Sequence, residues 1–149
     1  MAEELIAYSL AEHPAPHRHR VTLTSIFYAL FAAPIFWSGD LMIDYALVSH
    51  ACYPGDQPLA APTMGFGWVW VFALAIDLAT LLLIASGALV AYRNWRVTGP
   101  PEGHHHHLVE KGEGRTRYLS ICAMGFAFFC FAVTLTKTVA LFFFPLCSP

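Results

Sequence analysis

Lys137 constrains this chain more than any other residue, because it is the one charged side chain in an apolar stretch from Tyr118 to Leu146. An ammonium in hydrocarbon is costly, and such residues face the interior of a helix bundle and find a partner there. Two other long apolar stretches carry aspartate at a similar distance from the same end, Asp40 and Asp44 in the first and Asp77 in the second. The pattern predicts one buried charge cluster that links three membrane-spanning helices.

With 57% hydrophobic and 12% charged residues, the chain is too apolar for a soluble domain of 149 residues. Three segments exceed the length of about 20 residues that crosses a bilayer. They are Thr22–Val48, Phe66–Ala91 and Leu119–Leu146. The expected fold is an all-α membrane protein, one membrane domain over 1–149 with three transmembrane helices. A tail (1–21), a first loop (49–65), a second loop (92–118) and a short tail (147–149) flank the spans.

The cations set the expected orientation. Arg18 and Arg20 precede the first span, and Arg93, Arg96, Lys111, Arg115 and Arg117 lie between the second and third. The first loop and the C-terminal tail have no lysine or arginine. The positive-inside rule places the N-terminus and second loop in the cytoplasm, and the first loop and C-terminus outside. Trp68 and Trp70 outside, with Tyr92, Trp95 and Tyr118 inside, fit an aromatic belt. The first 20 residues lack the apolar core and small-residue site of a cleavable signal. Glu3–Leu10 reads as a short interfacial helix or a frayed tail, and Pro14–Arg20 as a basic approach to the bilayer.

Counted from the outer span ends, Asp40, Asp77 and Lys137 are each about 13–17 Å deep at 1.5 Å per residue. They share one level. Asp44, four residues nearer the outside, lies on the same helix face as Asp40. Three carboxylates face one ammonium, and a lone buried ion pairs or neutralises. Either one carboxylate is protonated, or Asp44 reaches outer water, or a partner supplies a cation. Thr134, Thr136 and Thr138 add hydroxyls around Lys137. A pair of Lys137 with Asp77 or Asp40 that holds the helices in register outweighs proton transfer, because the cytoplasmic halves of the spans lack polar residues beyond Ser, Thr and Cys.

Pro34 is expected to kink the first span. Ala29 with Ala33, Ala75 with Ala79 and Ala123 with Ala127 offer small-residue contacts. Phenylalanines surround the third span, so it meets lipid or an apolar partner on most sides. Cys52 and Cys147 both fall just past outer span ends, where a disulfide is permitted, and a disulfide is favoured over free thiols. The alternative is a copper site from His50, Cys52 and Cys147. Cys122 and Cys130 read as packing residues. The run His104–His107 reads as a polar linker ahead of a weak metal site.

No histidine lies within the spans, which excludes paired-histidine haem b ligation by this chain alone, and no Cys-x-x-Cys-His is present for c-type haem. There is no phosphate loop, dinucleotide fingerprint or Ser/His/Asp set, and no basic face for nucleic acid. The expectation is a non-enzyme that binds no cofactor by itself.

Two segments carry a resemblance. One is Ala33-Pro-Ile-Phe-Trp37, leading through Asp44-Tyr-Ala-Leu-Val-Ser-His-Ala-Cys-Tyr-Pro54. The other is Gly114-Arg-Thr-Arg-Tyr118 with Phe144-Pro-Leu-Cys147. Together they resemble small three-span proteobacterial membrane proteins encoded beside haem–copper cytochrome oxidases. Lys137 and Asp77 are not part of it. The resemblance implies a respiratory accessory role and brings no catalytic activity with it. The leading expectation is a non-catalytic subunit of a terminal oxidase or its supercomplex, surrounded by membrane lipids and haem-containing subunits. The alternatives are a small transport or assembly factor for protons or copper, and a self-associating scaffold.

Overall fold

In lipid every backbone polar group must be satisfied within the segment, so an apolar stretch of spanning length becomes a helix. The computed structural model describes residues 21–53, 55, 67–98, 114–144 and 147. It has three helices, α1 (Leu23–Cys52), α2 (Gly67–Val97) and α3 (Gly114–Phe143), and no strand among the described residues. Each is long and apolar enough to cross a membrane, the build of a multi-pass membrane protein. Segments 3–10 and 14–20, the connector from 99 onward and the histidine run 104–107 lie outside the described residues.

The helices do not end where the apolar stretches end. α1 runs past Val48 to Cys52, and α2 past Ala91 to Val97. α3 starts at Gly114, before Leu119, and stops at Phe143. Apolar length measures the hydrocarbon, whereas backbone hydrogen bonds continue the helix into the polar interface. Thr22 caps α1, its hydroxyl accepting from the Ser25 N–H at 3.3 Å, and the Tyr53 N–H closes the other end on the Ser49 carbonyl at 2.9 Å. Pro34 removes one donor inside α1, and the helix continues through it.

The three helices pack each on the other two. α2 turns the seam Ala73, Asp77, Thr80, Ile84, Gly87 and Ala91 inward, all buried at alternating spacings of four and three. One packing layer joins Ala33, Ile84, Ala127 and Cys130, with Trp37, Ala88 and Phe131 against it. A second joins Ala29, Ala91 and Ala123. Ala29, Ala33, Ala123 and Ala127 are therefore contact residues. Ala75 and Ala79 are not: they sit off the α2 seam and are exposed. The same correction applies to Cys122, which is exposed while Cys130 is buried.

Gly87 marks the closest approach of α1 and α2, since a Cβ there would stand 3.1 Å from the Ala32 Cβ. Neither atom is the tip of a flexible side chain. Gly87→Leu is expected to destabilise the bundle by about 1–3 kcal/mol through overpacking, read as a lower melting temperature in detergent. Gly39 and Gly125, with nothing within 4 Å of an added Cβ, provide the insensitive comparison.

Candidate functional site

The aspartates of the described helices and Lys137 collect at one level. Asp40 and Asp44 are four residues apart on α1 and share a face. Asp77 lies on the inward seam of α2, and Lys137 comes from α3. The Lys137 Nζ contacts Asp40 Oδ2, stands 2.6 Å from Asp44 Oδ2 and 2.7 Å from Asp77 Oδ1. Sequence reasoning offered Asp77 or Asp40 as the partner; the structure brings Lys137 to all three carboxylates. The side chains of Asp40 and Asp77 are fully buried, that of Asp44 is 14% exposed and that of Lys137 23%.

Hydroxyls complete the cluster. Thr138 Oγ1 lies 3.0 Å from Asp77 Oδ2 and 2.9 Å from the Thr134 carbonyl, sharing one proton between two acceptors. Thr80 Oγ1 donates to Asp40 Oδ1 at 3.3 Å. Thr80 was not anticipated, although its place three residues after Asp77 puts it on the same face. The other two threonines behave differently. Thr136 bonds the Ala132 carbonyl at 2.8 Å, and Thr134 Oγ1 is buried with no hydrogen-bond partner among the described residues.

An ammonium has three donors and no acceptor; Lys137 hydrogen-bonds Asp40 and Asp44 and forms an ion pair with Asp77, whose Oδ1 has no hydrogen bond among the described residues. Charge is not balanced: one ammonium against three carboxylates leaves a formal charge of −2 when all are ionised. The surplus shows at Asp44, whose Oδ1 is buried without a hydrogen-bond partner among the described residues. Oxygens of Asp40, Asp44 and Asp77 lie within 4.8 Å of one another, a hard donor set that suits a cation. The cation held there is the Lys137 ammonium, and a metal ion would have to displace it.

At the same end of the bundle Cys52 and Cys147 form a disulfide across 95 residues, with Cα atoms 5.6 Å apart. Both sulfurs are thereby consumed, and His50, exposed on α1, is the remaining donor of the expected copper set. Trp70 closes this end further, its Nε1 donating to the Leu141 carbonyl at 3.2 Å and its ring meeting Phe142 edge-on at 5.3 Å. Comparison of the chain with family models, with curated proteins and with solved structures finds no match.

Proposed function

We propose that this chain is a non-catalytic subunit of a larger integral membrane assembly in a bacterial inner membrane, with its N-terminus cytoplasmic and its C-terminus outside. The observation that carries the reading is the state of the charge cluster. Lys137 pairs with one carboxylate group of α2 and two of α1 at once, which favours a lock across the three helices over a group waiting for a substrate. The surplus charge and the unpartnered Asp44 Oδ1 then favour a donor from a neighbouring subunit. The large unburied apolar surface points the same way, since only 22–28% of each spanning window is buried within the chain. The cations at the opposite end, Arg93, Arg96 and Arg117, support the orientation.

The resemblance to proteins encoded beside haem–copper oxidases implies the assembly we propose: a terminal oxidase or its supercomplex, whose haem lies in other subunits. A second reading, a small membrane transport or assembly factor, draws on the same surplus. Asp44 and Lys137 are partly exposed, which is where a proton would come and go. Copper handling would first need the Cys52–Cys147 bond reduced.

Gentle-detergent purification from the native membrane, followed by mass spectrometry and a visible spectrum, separates these readings. Haem-containing subunits in fixed ratio are expected. A colourless chain alone, with oxidase content unchanged on its deletion, would overturn the subunit reading. In that case Asp77→Asn tests the transport reading by loss of activity at unchanged membrane level, and a single homo-oligomer would identify a scaffold.

A further inference from the structure

The opposite end of the bundle holds polar groups that the charge cluster does not use. One helical turn beyond the Ala29, Ala91 and Ala123 layer, the same faces carry Ser25, Asn94 and Ser120. Ser25 Oγ donates to Asn94 Oδ1 at 2.9 Å. Asn94 is only 7% exposed, and its Nδ2 has no hydrogen-bond partner among the described residues. A turn further on α3 lies Arg117, its Cζ 5.6 Å from the centre of the Trp95 ring and its Nε buried and equally unpartnered. The neighbouring hydroxyls are satisfied within their own helices: Ser120 on the Thr116 carbonyl at 2.8 Å and Thr98 on the Asn94 carbonyl at 2.8 Å.

What remains is a pair of buried donors, one of them charged, with no acceptor among the described residues. Leaving such groups unmet is costly, more so for a charged one. Among the described residues the carboxylates are all in the distant cluster. Asp77 is about 26 Å of helix away from Asn94 at 1.5 Å per residue. An arginine resting on an indole keeps its N–H edges directed and in plane, the geometry that takes a phosphate through two parallel hydrogen bonds. The candidate span of α2 ends at Val97 and that of α3 begins at Thr116, so Asn94 and Arg117 lie at span ends, where headgroups are met.

We infer that Asn94 and Arg117, shelved on Trp95, bind the phosphate of an anionic phospholipid headgroup between α2 and α3. Basic pockets between transmembrane helices are suited to this chemistry. The lipid is the preferred source of the phosphate because the two residues lie at the ends of the candidate spans. The site does not depend on which complex the chain joins.

The test uses the full chain purified in detergent. It is titrated with phosphatidylglycerol or phosphatidylcholine, and bound lipid is counted by native mass spectrometry. Phosphatidylglycerol is expected to be retained about tenfold more strongly, and Arg117→Gln to remove most of that preference. Arg117→Lys keeps the charge and loses the in-plane pair of donors, so it should also lower retention, whereas Arg93→Gln stays within about twofold of the native chain. Equal retention of the two lipids would overturn the inference, as would equal losses from Arg93→Gln and Arg117→Gln, which mean diffuse attraction. Inorganic phosphate displacing the lipid at parity would assign the site to the free anion and overturn the lipid assignment.

Discussion

Lys137→Met lowers the stability of the bundle by about 3–5 kcal/mol, the penalty for leaving buried charge without its partner. Three carboxylates lose their shared counter-ion at once, and two of them, Asp40 and Asp77, have no exposed side-chain surface. The loss is therefore expected as disappearance of the folded peak on heating in detergent, at a much lower temperature than for the native chain. The partner substitutions differ in size. Asp44→Asn removes part of a surplus and should change stability by less than about 1 kcal/mol. Combining Lys137→Met with Asp40→Asn, Asp44→Asn and Asp77→Asn should recover about 2 kcal/mol or more, because an uncharged cluster no longer needs the ammonium. If the quadruple variant is no better than Lys137→Met, charge compensation is not what Lys137 supplies.

Breaking the Cys52–Cys147 disulfide is the second large effect. It closes a loop of 95 residues, for which chain entropy alone sets about 4–5 kcal/mol. Helices held in detergent or lipid gain less freedom on unfolding than a chain in water, so the double substitution Cys52→Ser with Cys147→Ser should destabilise by about 2–4 kcal/mol. Reductant should lower the melting temperature of the native chain by the same amount and leave the double variant unmoved. A native chain whose melting temperature ignores reductant would show that the bond contributes nothing to the bundle.

Much of this was legible in the sequence for one reason: polar residues in an apolar field have few places to go. Counting residues from the span ends put Asp40, Asp77 and Lys137 at one depth, and two cysteines just past span ends implied a staple. The faces of the helices were less legible. Lipid is as apolar as a packed core, so periodicity carries little information about which side turns inward. Ala75 and Ala79 have the right spacing and the wrong face, while Ala73, Ile84, Gly87 and Ala91 form the seam. Thr80 was missed because the contribution of one hydroxyl depends on the rotation of α2, which Asp77 alone fixes. Ser25, Asn94 and Arg117 escaped because polar residues near span ends are ordinary, and what distinguishes them is tertiary: the burial of Asn94, its bond from Ser25 and the Arg117 contact with Trp95. The helix ends shifted because hydropathy reports the thickness of hydrocarbon rather than the reach of the hydrogen-bond ladder.

The order of the charges along the chain has a consequence for biosynthesis. Synthesis delivers Asp40, Asp44 and Asp77 to the membrane before Lys137 exists. The first two spans therefore reach the bilayer with three carboxylates and no counter-ion, and hydrocarbon favours their neutral, protonated form. When α3 arrives, its ammonium replaces protons that the earlier helices had to borrow. Insertion of the last helix and assembly of the tertiary structure are one event for this protein, and a chain interrupted before α3 is a pair of helices still carrying its synthetic intermediate's protons.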